Sequence, residues 1–262
     1  MPTSALHVAR TGLEAQDARM RVIANNLANI GTTGYKRDRA NFATLAYQDD
    51  RIAGQQSSTE TAYATGLNLG TGVSVQSTTA ITTQGTLNPT GNGLDLALDG
   101  DGYFQVQLPG GKLGYTRAGN FSRSAEGQLV TAQGYAVQPA IAIPEDAAAI
   151  TVGNDGTVTV TTGASAVPTE IGQITIASFA NPAGLQALGD NFLSETAASG
   201  PAQIGAAGDG VRGAIRQGML ESSNVNVVEE LVDMIECQRA YEINSKMISA
   251  VDEMLRNANQ TL

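Results

Sequence analysis

Few residues of this chain could carry chemistry. Its only histidine, His7, and its only cysteine, Cys237, stand near opposite ends of 262 residues. Nucleophilic catalysis needs a base beside a Ser, Cys or Thr and an acid that orients the base. Neither spacing is present around His7, and no Gly-x-Ser-x-Gly elbow or Gly-x-x-x-x-Gly-Lys phosphate loop occurs. A zinc site needs a cluster of Cys and His, which one residue of each cannot supply. Asp95, Asp99 and Asp101 are the candidates for a calcium loop, yet they lack the EF-hand order of acidic ligands, central Gly and terminal Glu. A glycosidase-like carboxylate pair is not decided by spacing, because such pairing is spatial and 25 acids are present. These residues argue against an enzyme, and no catalytic residue, cofactor or metal is expected. Cys237 cannot form an intramolecular disulfide and reads as a small buried apolar residue in a helix.

Charge narrows the partners. A net charge of -10 and a pI near 4.5 argue against nucleic acid, since binding phosphates takes a basic surface. The charge is also divided between the ends. Residues 1–39 carry Arg10, Arg19, Arg21, Lys36, Arg37 and Arg39 against Glu14, Asp17 and Asp38, whereas residues 221–262 carry eight acids against Arg239, Lys246 and Arg256. Opposite signs on two amphipathic ends suggest helices that pair, within one subunit or between neighbours. No secretory signal precedes the first helix, and no apolar run approaches 18 residues; taken alone, that points to the cytoplasm.

The elements that would position any site are two helices and a β-rich middle. Leu6, Leu13, Met20 and Leu27 recur every seven residues, with Ala9, Gln16, Ile23 and Ile30 three residues on, which is a heptad seam. The spacing predicts a helix over residues 4–30, Gly31 as its left-handed cap and Gly34 as a second break. Asn25, Asn26 and Asn29 are poor helix formers in its last turns, so their amides should meet partners. At the other end Val227, Met234, Tyr241, Ile248 and Leu255 are spaced by seven and flanked by Leu231, Val251 and Ala258. Asn224 or Asn226 is the candidate N-cap, and Glu229 and Glu230 suit the positive end of the helix dipole. A helix of about 34 residues would be about 50 Å long. That is more than a β domain of this size can cover, so its stripe needs another long helix.

Residues 39–71 read as a long polar connector with neither period, ordered by assembly, by function or not at all. Phe42, Leu45 and Tyr47 form its one apolar cluster, expected as a satellite contact on the next domain. Residues 72–221 carry short alternating runs broken by Gly and Asn/Asp turns; strands are predicted at 73–77, 94–98, 103–108, 114–116, 128–137, 150–152, 157–161, 173–179 and 211–215. Leu94, Leu96 and Leu98 should point inward, Asp95 and Ala97 outward. Glycines 100 and 102 permit a tight reversal, and Asn154-Asp155-Gly156 has the chemistry of a hairpin turn. The class is α+β: N- and C-terminal amphipathic helices forming a coiled-coil domain, with an inserted mainly β domain. The expected divisions are residues 1–38, pairing with 222–262, a connector at 39–71, and a β domain at 72–221.

Three strings are more specific than these patterns. Residues 24–37, with Asn25, Asn26, Asn29, Thr33, Gly34 and Tyr35, and residues 223–230 with 238–246, including Gln238, Arg239, Tyr241 and Asn244, resemble the terminal signatures of the bacterial flagellar axial proteins, the family of rod, hook and hook-associated subunits. Residues 85–105 and 115–121 resemble that family's shared β motif. In the connector, Gln48, Arg51, Gly54, Ser57, Ser58, Gly66 and Leu67 resemble the family's distal-rod members. The resemblance implies a mechanical subunit of the flagellar basal body. Such subunits self-assemble into a helical homopolymer, with helices lining an inner tube and β domains outside, and form the rigid shaft that carries motor torque to the hook. It implies as partners proximal rod and hook subunits, ring bushing proteins around the rod, and the flagellar type III export apparatus, with export uncleaved and a location in the rod across the periplasm. The assembly seam would be Leu6, Leu13, Met20, Ile23, Leu27 and Ile30 with Val227, Leu231, Met234, Tyr241, Ile248 and Leu255. A proximal rod or hook subunit would share both terminal motifs and differ in the connector. A secreted β-rich adhesin or fibre protein would share only the β block.

Overall fold

The structure is a computed structural model that describes residues 2–56, 63–162 and 165–260. It is α+β, and its chain divides into two compact units that are interleaved in sequence. The first comprises residues 1–27, 38–79 and 226–262, the second residues 28–37 and 80–225. This differs from the linear division expected, in that the connector and the strand after it fold with the helices, and residues 28–37 fold with the β domain.

In the first unit α1 (Pro2–Ala28) and α2 (Val227–Gln260) accompany a two-part β-ribbon. The ribbon's outer strands β1 (Asp38–Thr44) and β4 (Val73–Ala80) pair with each other, as do its inner strands β2 (Tyr47–Arg51) and β3 (Leu67–Gly70). The supposed structureless connector is therefore mostly hairpin. Asn41 Nδ2 donates across β1 and β4 to Ser77 and Thr79 hydroxyls, and Leu45 N donates to Gly72 O at 3.0 Å. The ribbon is seated on α1 at Gly72, whose φ of +121° and contact with the Thr11 side chain leave no room for a Cβ. Phe42 and Tyr47 stay exposed, so they are not the satellite contact expected of them.

The second unit holds β5 (Leu87–Pro89), β6 (Leu96–Asp99), β7 (Tyr103–Gln107), β8 (Leu113–Thr116), β9 (Ser122–Arg123), β10 (Leu129–Val130), β11 (Val137–Gln138), β12 (Ala147–Val152), β13 (Thr157–Thr162), β14 (Ser165–Gln173), β15 (Thr175–Ser178), β16 (Gln186–Gly189), β17 (Phe192–Ser194), β18 (Gln203–Ala206), β19 (Ala214–Gln217) and β20 (Met219–Glu221). Its main sheet runs β16-β17-β8-β7-β15-β18, with β11 also on β7, and a second sheet runs β12-β13-β14. Leu96, Leu98, Phe104, Val106, Ile176 and Ile215 form the centre of the core, each fully buried aliphatic or aromatic side chain contributing about 1.5–3 kcal/mol. Contrary to the alternation expected, Asp95 and Ala97 are buried along with Leu96 and Leu98, because β6 is covered on both faces. The run expected at 128–137 breaks into β10 and β11. The Asn154-Asp155-Gly156 turn does join β12 to β13, with Gly156 at φ +89° and Asp155 accepting from Thr157 N at 3.1 Å.

Candidate assembly interface

Within the first unit the two helices touch through side chains. Asn26 Nδ2 lies 3.3 Å from Glu230 Oε2, Arg19 Nη2 2.9 Å from Asp233 Oδ1, and Cys237 Sγ donates to Gln16 O at 3.1 Å. Further along, a Cβ on Gly12 would sit 3.1 Å from the Asn244 amide. Positions fall along α1 as they rise along α2, so the helices run antiparallel. Cys237 is buried, as a small apolar residue would be, and that burial pushes its thiol pKa up.

Burial does not follow the heptad evenly. On α1, Ala9, Ala15, Ile23 and Asn26 are buried, while Leu6, Leu13, Met20 and Leu27 are half-buried, as is Ile30 in the turn just past the helix. On α2, Glu230 and Cys237 are buried, Met234, Asn244, Ile248 and Leu255 are half-buried, and Val227, Leu231, Tyr241, Gln238 and Arg239 are exposed. A second apolar set, Val228, Val232, Ile235, Ile243, Met247 and Met254, is also exposed, from 48% at Met247 to 69% at Val228.

Asn26 of the N-terminal motif acts on backbone. Asn26 Oδ1 accepts from Asp38 N and its Nδ2 donates to Asp38 O, both at 2.9 Å, so one side chain substitutes for a strand neighbour at the entrance to β1. Burial there raises the Asp38 carboxyl pKa. Asn29 Oδ1 accepts from the Thr32 hydroxyl at 3.1 Å, and Asn25 is exposed. Gly34 is the left-handed residue, at φ +70°, and Gly31, which was expected to cap the helix that way, is not. A Cβ at Gly34 would approach the Arg117 and Ala118 backbone to 2.7–2.8 Å, so only glycine fits. Asn226, rather than Asn224, caps α2: its Oδ1 accepts from Val228 N at 3.1 Å.

In the second unit residues 28–37 are held by a buried charge cluster for which sequence reading offered no signal. Glu221, 1% exposed, meets Lys36 Nζ at 2.6 Å, Arg117 Nε at 3.2 Å and Gly85 N at 2.9 Å. Arg117 also donates to Gly100 O and Gly102 O. Asn224 Oδ1 accepts from Arg37 N at 2.7 Å, Asn191 Nδ2 donates to Thr33 O at 2.7 Å, and Tyr35 O accepts from Asn224 N. Burial, with the neighbouring Arg117 charge, lowers the Lys36 pKa, and Glu221 opposes both. The partners lie far apart in sequence, which is why no local spacing revealed the cluster.

The connector residues lie on the ribbon. Gln48, Arg51, Gly54, Gly66 and Leu67 are exposed, with the Arg51 guanidinium 4.2 Å from the centre of the Tyr63 ring and Gly54 at φ +87°. Ser57 and Ser58 lie outside the described residues. Two of the three calcium candidates have other partners: Asp95 accepts from Thr90 and Asn92, and Asp99 pairs with Arg216 at 2.9 Å. Among the described residues no group of three or more His, Cys, Asp or Glu is placed to hold a metal.

Three family models match this chain: flagella basal body rod protein at residues 6–36, flagellar hook protein FlgE/F/G D1 domain at 97–160, and flagellar basal body rod FlgEFG protein C-terminal at 216–261. A flagellar basal-body rod protein FlgG of Buchnera aphidicola is 48% identical over 255 residues, covering 97% of this chain and 98% of that one. The chain belongs to the flagellar basal-body rod protein family. The first family segment ends on Lys36 and the last takes in Glu221, so the two sides of the buried cluster both lie in family regions. Within one organism, Caulobacter vibrioides, the FlgG rod protein is 47% identical over 98% of each chain, and the FlgF rod protein 32% over 99% and 98%. None of the three segments spans residues 37–96, where the ribbon lies. No helix among the described residues is long and apolar enough to cross a membrane.

Proposed function

We propose that this chain is a structural subunit of the bacterial flagellar basal body that self-assembles into the distal rod, the shaft carrying motor torque to the hook. The observation that supports this best is the exposed apolar set on α2. Soluble monomers rarely leave such a stripe in water, and its burial against helices of neighbouring copies would supply the missing contact. In that reading α1 and α2 form a coiled-coil layer between copies as well as within one. Leu6, Leu13, Met20, Ile23, Leu27 and Ile30, with Val227, Leu231, Met234, Tyr241, Ile248 and Leu255, are the seam. The 47% against 32% identity to two rod proteins of one organism favours the distal over the proximal rod. Proximal rod and hook subunits at its ends, ring proteins around it and the type III export apparatus are its proposed partners, with the rod spanning the periplasm.

The test is Ile235→Asp. Ile235 is exposed in the single chain, so the variant should fold and be exported, whereas in the polymer it would bury an unpaired carboxylate at a cost of several kcal/mol. Secreted subunits with a folded β unit, but no rods, are the expected result. Normal rods would overturn the burial of this α2 face between copies.

A further inference from the structure

An exposed strand edge is a template for pairing, and proteins guard such edges with charge, proline or a covering side chain. Besides the two-residue β11, which runs into Pro139, the two larger sheets of the β unit end in four edges, three of which are guarded. Along β18, Arg212 Nε donates to Ala206 O at 3.1 Å and the guanidinium lies over Gly205. Along β12, Gln217 Oε1 accepts from Val152 N and its Nε2 donates to Ile150 O. β14 carries Pro168 and Glu170. The fourth edge, β16, is Gln-Ala-Leu-Gly: all four residues are exposed, none is charged, and Leu188 is 52% exposed.

The ribbon has the same asymmetry. Its outgoing arm carries Asp38, Arg39, Asp49, Asp50 and Arg51, while residues 67–80 of the returning arm carry no charge. At the ribbon base Val73 N already donates to Thr11 Oγ1. β3, Leu-Asn-Leu-Gly, is exposed along its whole length. A two-stranded ribbon is marginal alone in water and gains stability from a third strand.

We propose that the edge of β16 is completed in the polymer by β3 of a neighbouring copy, an inference that rests on the rod-subunit reading above. The two strands match in length and in lack of charge. Their pairing would extend the seven-stranded sheet by strand addition, and Leu188 would pack beside Leu67 and Leu69. Each copy has one β16 and one β3, so the contact is head-to-tail, the kind that propagates along an open helical polymer where its rotation does not close a ring.

Residues opposed across an antiparallel strand pair have Cα atoms about 4.5–5.5 Å apart, within the Cα separation that a disulfide spans. The experiment uses the full chain in a Cys237→Ala background, with Leu188→Cys combined in turn with Leu67→Cys, Asn68→Cys or Leu69→Cys. The variants are assembled in cells and oxidised in isolated basal bodies. The expected result is a ladder of disulfide-linked chains in assembled particles for at least one pair, with no dimer from exported, unassembled subunit. Val167→Cys on guarded β14 should give none with the same ribbon positions. Intact rods that give no ladder from Leu188→Cys, or one from Val167→Cys instead, overturn the strand pairing and leave the rod-subunit reading standing. If the chain with its native Cys237 builds no polymer under any condition, both fall.

Discussion

At the scale of single residues, the chain's polar groups hold backbone. Glu221 faces Lys36, Arg117 and the Gly85 amide while fully buried. Removing one member of such a cluster leaves buried charge uncompensated. Glu221→Gln should therefore destabilise the protein by about 3–5 kcal/mol in urea unfolding, and adding Lys36→Met should recover part of the loss. A loss below about 1 kcal/mol would contradict the geometry. Asp38 makes the opposite prediction. Its carboxyl pKa is raised above 3.8 by burial, so the folded protein holds this proton more tightly than the unfolded chain does, and stability falls as pH rises through that raised value. Asp38→Asn should raise the melting temperature at pH 7 and have no effect below pH 3.8, because its backbone bonds to Asn26 are untouched. An unchanged difference at both pH values would contradict this. The asparagines were legible as residues needing partners. That the partner of Asn26 would be the Asp38 backbone was not, since nothing local marks an amide for a strand twelve residues on.

At the scale of elements, the helices could be read from sequence because an apolar period of seven survives partial burial. α1 spans residues 2–28 where 4–30 was expected, and the left-handed break falls on Gly34, where the chain must pass the Arg117 backbone, instead of on Gly31. The ribbon could not be read in this way. β2 and β3 are exposed throughout, so no buried face imposes alternation, and a register shift between Asp49 and Arg51 breaks what pattern remains. This element should set the shaft's stiffness. Rod and hook subunits resemble each other at both helical ends, and a segment bridging neighbouring copies would block the sliding by which a tube curves. Deleting residues 48–68 leaves β1, β4 and both helices intact. Curved polymers are expected by electron microscopy, and straight, stiff rods from the deletion strain would contradict the assignment.

At the scale of the whole molecule, composition revealed the β block but not the interleaving of the units. The shift to Gly and Pro marks a change of class, while the pairing of β1 with β4 that returns residues 38–79 to the helical unit is long-range. The second unit has a buried core of its own, whereas the first exposes much of its apolar surface. Ordering its residues costs about 1–2 kcal/mol each, and without neighbouring copies little burial offsets that. Limited proteolysis of the monomer should accordingly cut within both helices and residues 38–79 and spare residues 80–225. A protease-resistant full-length monomer would count against that division of stability.

As a mechanical subunit, this chain should have helices that complete one another across copies. A helical reconstruction by electron cryomicroscopy of the polymer this chain forms tests it most directly. The expected map has α1 and α2 in the innermost layer, with Val228, Val232, Ile235, Ile243, Met247 and Met254 packed against helices of neighbouring copies and the β units outside. A polymer built through the β units alone, with that face of α2 in solvent, would contradict it.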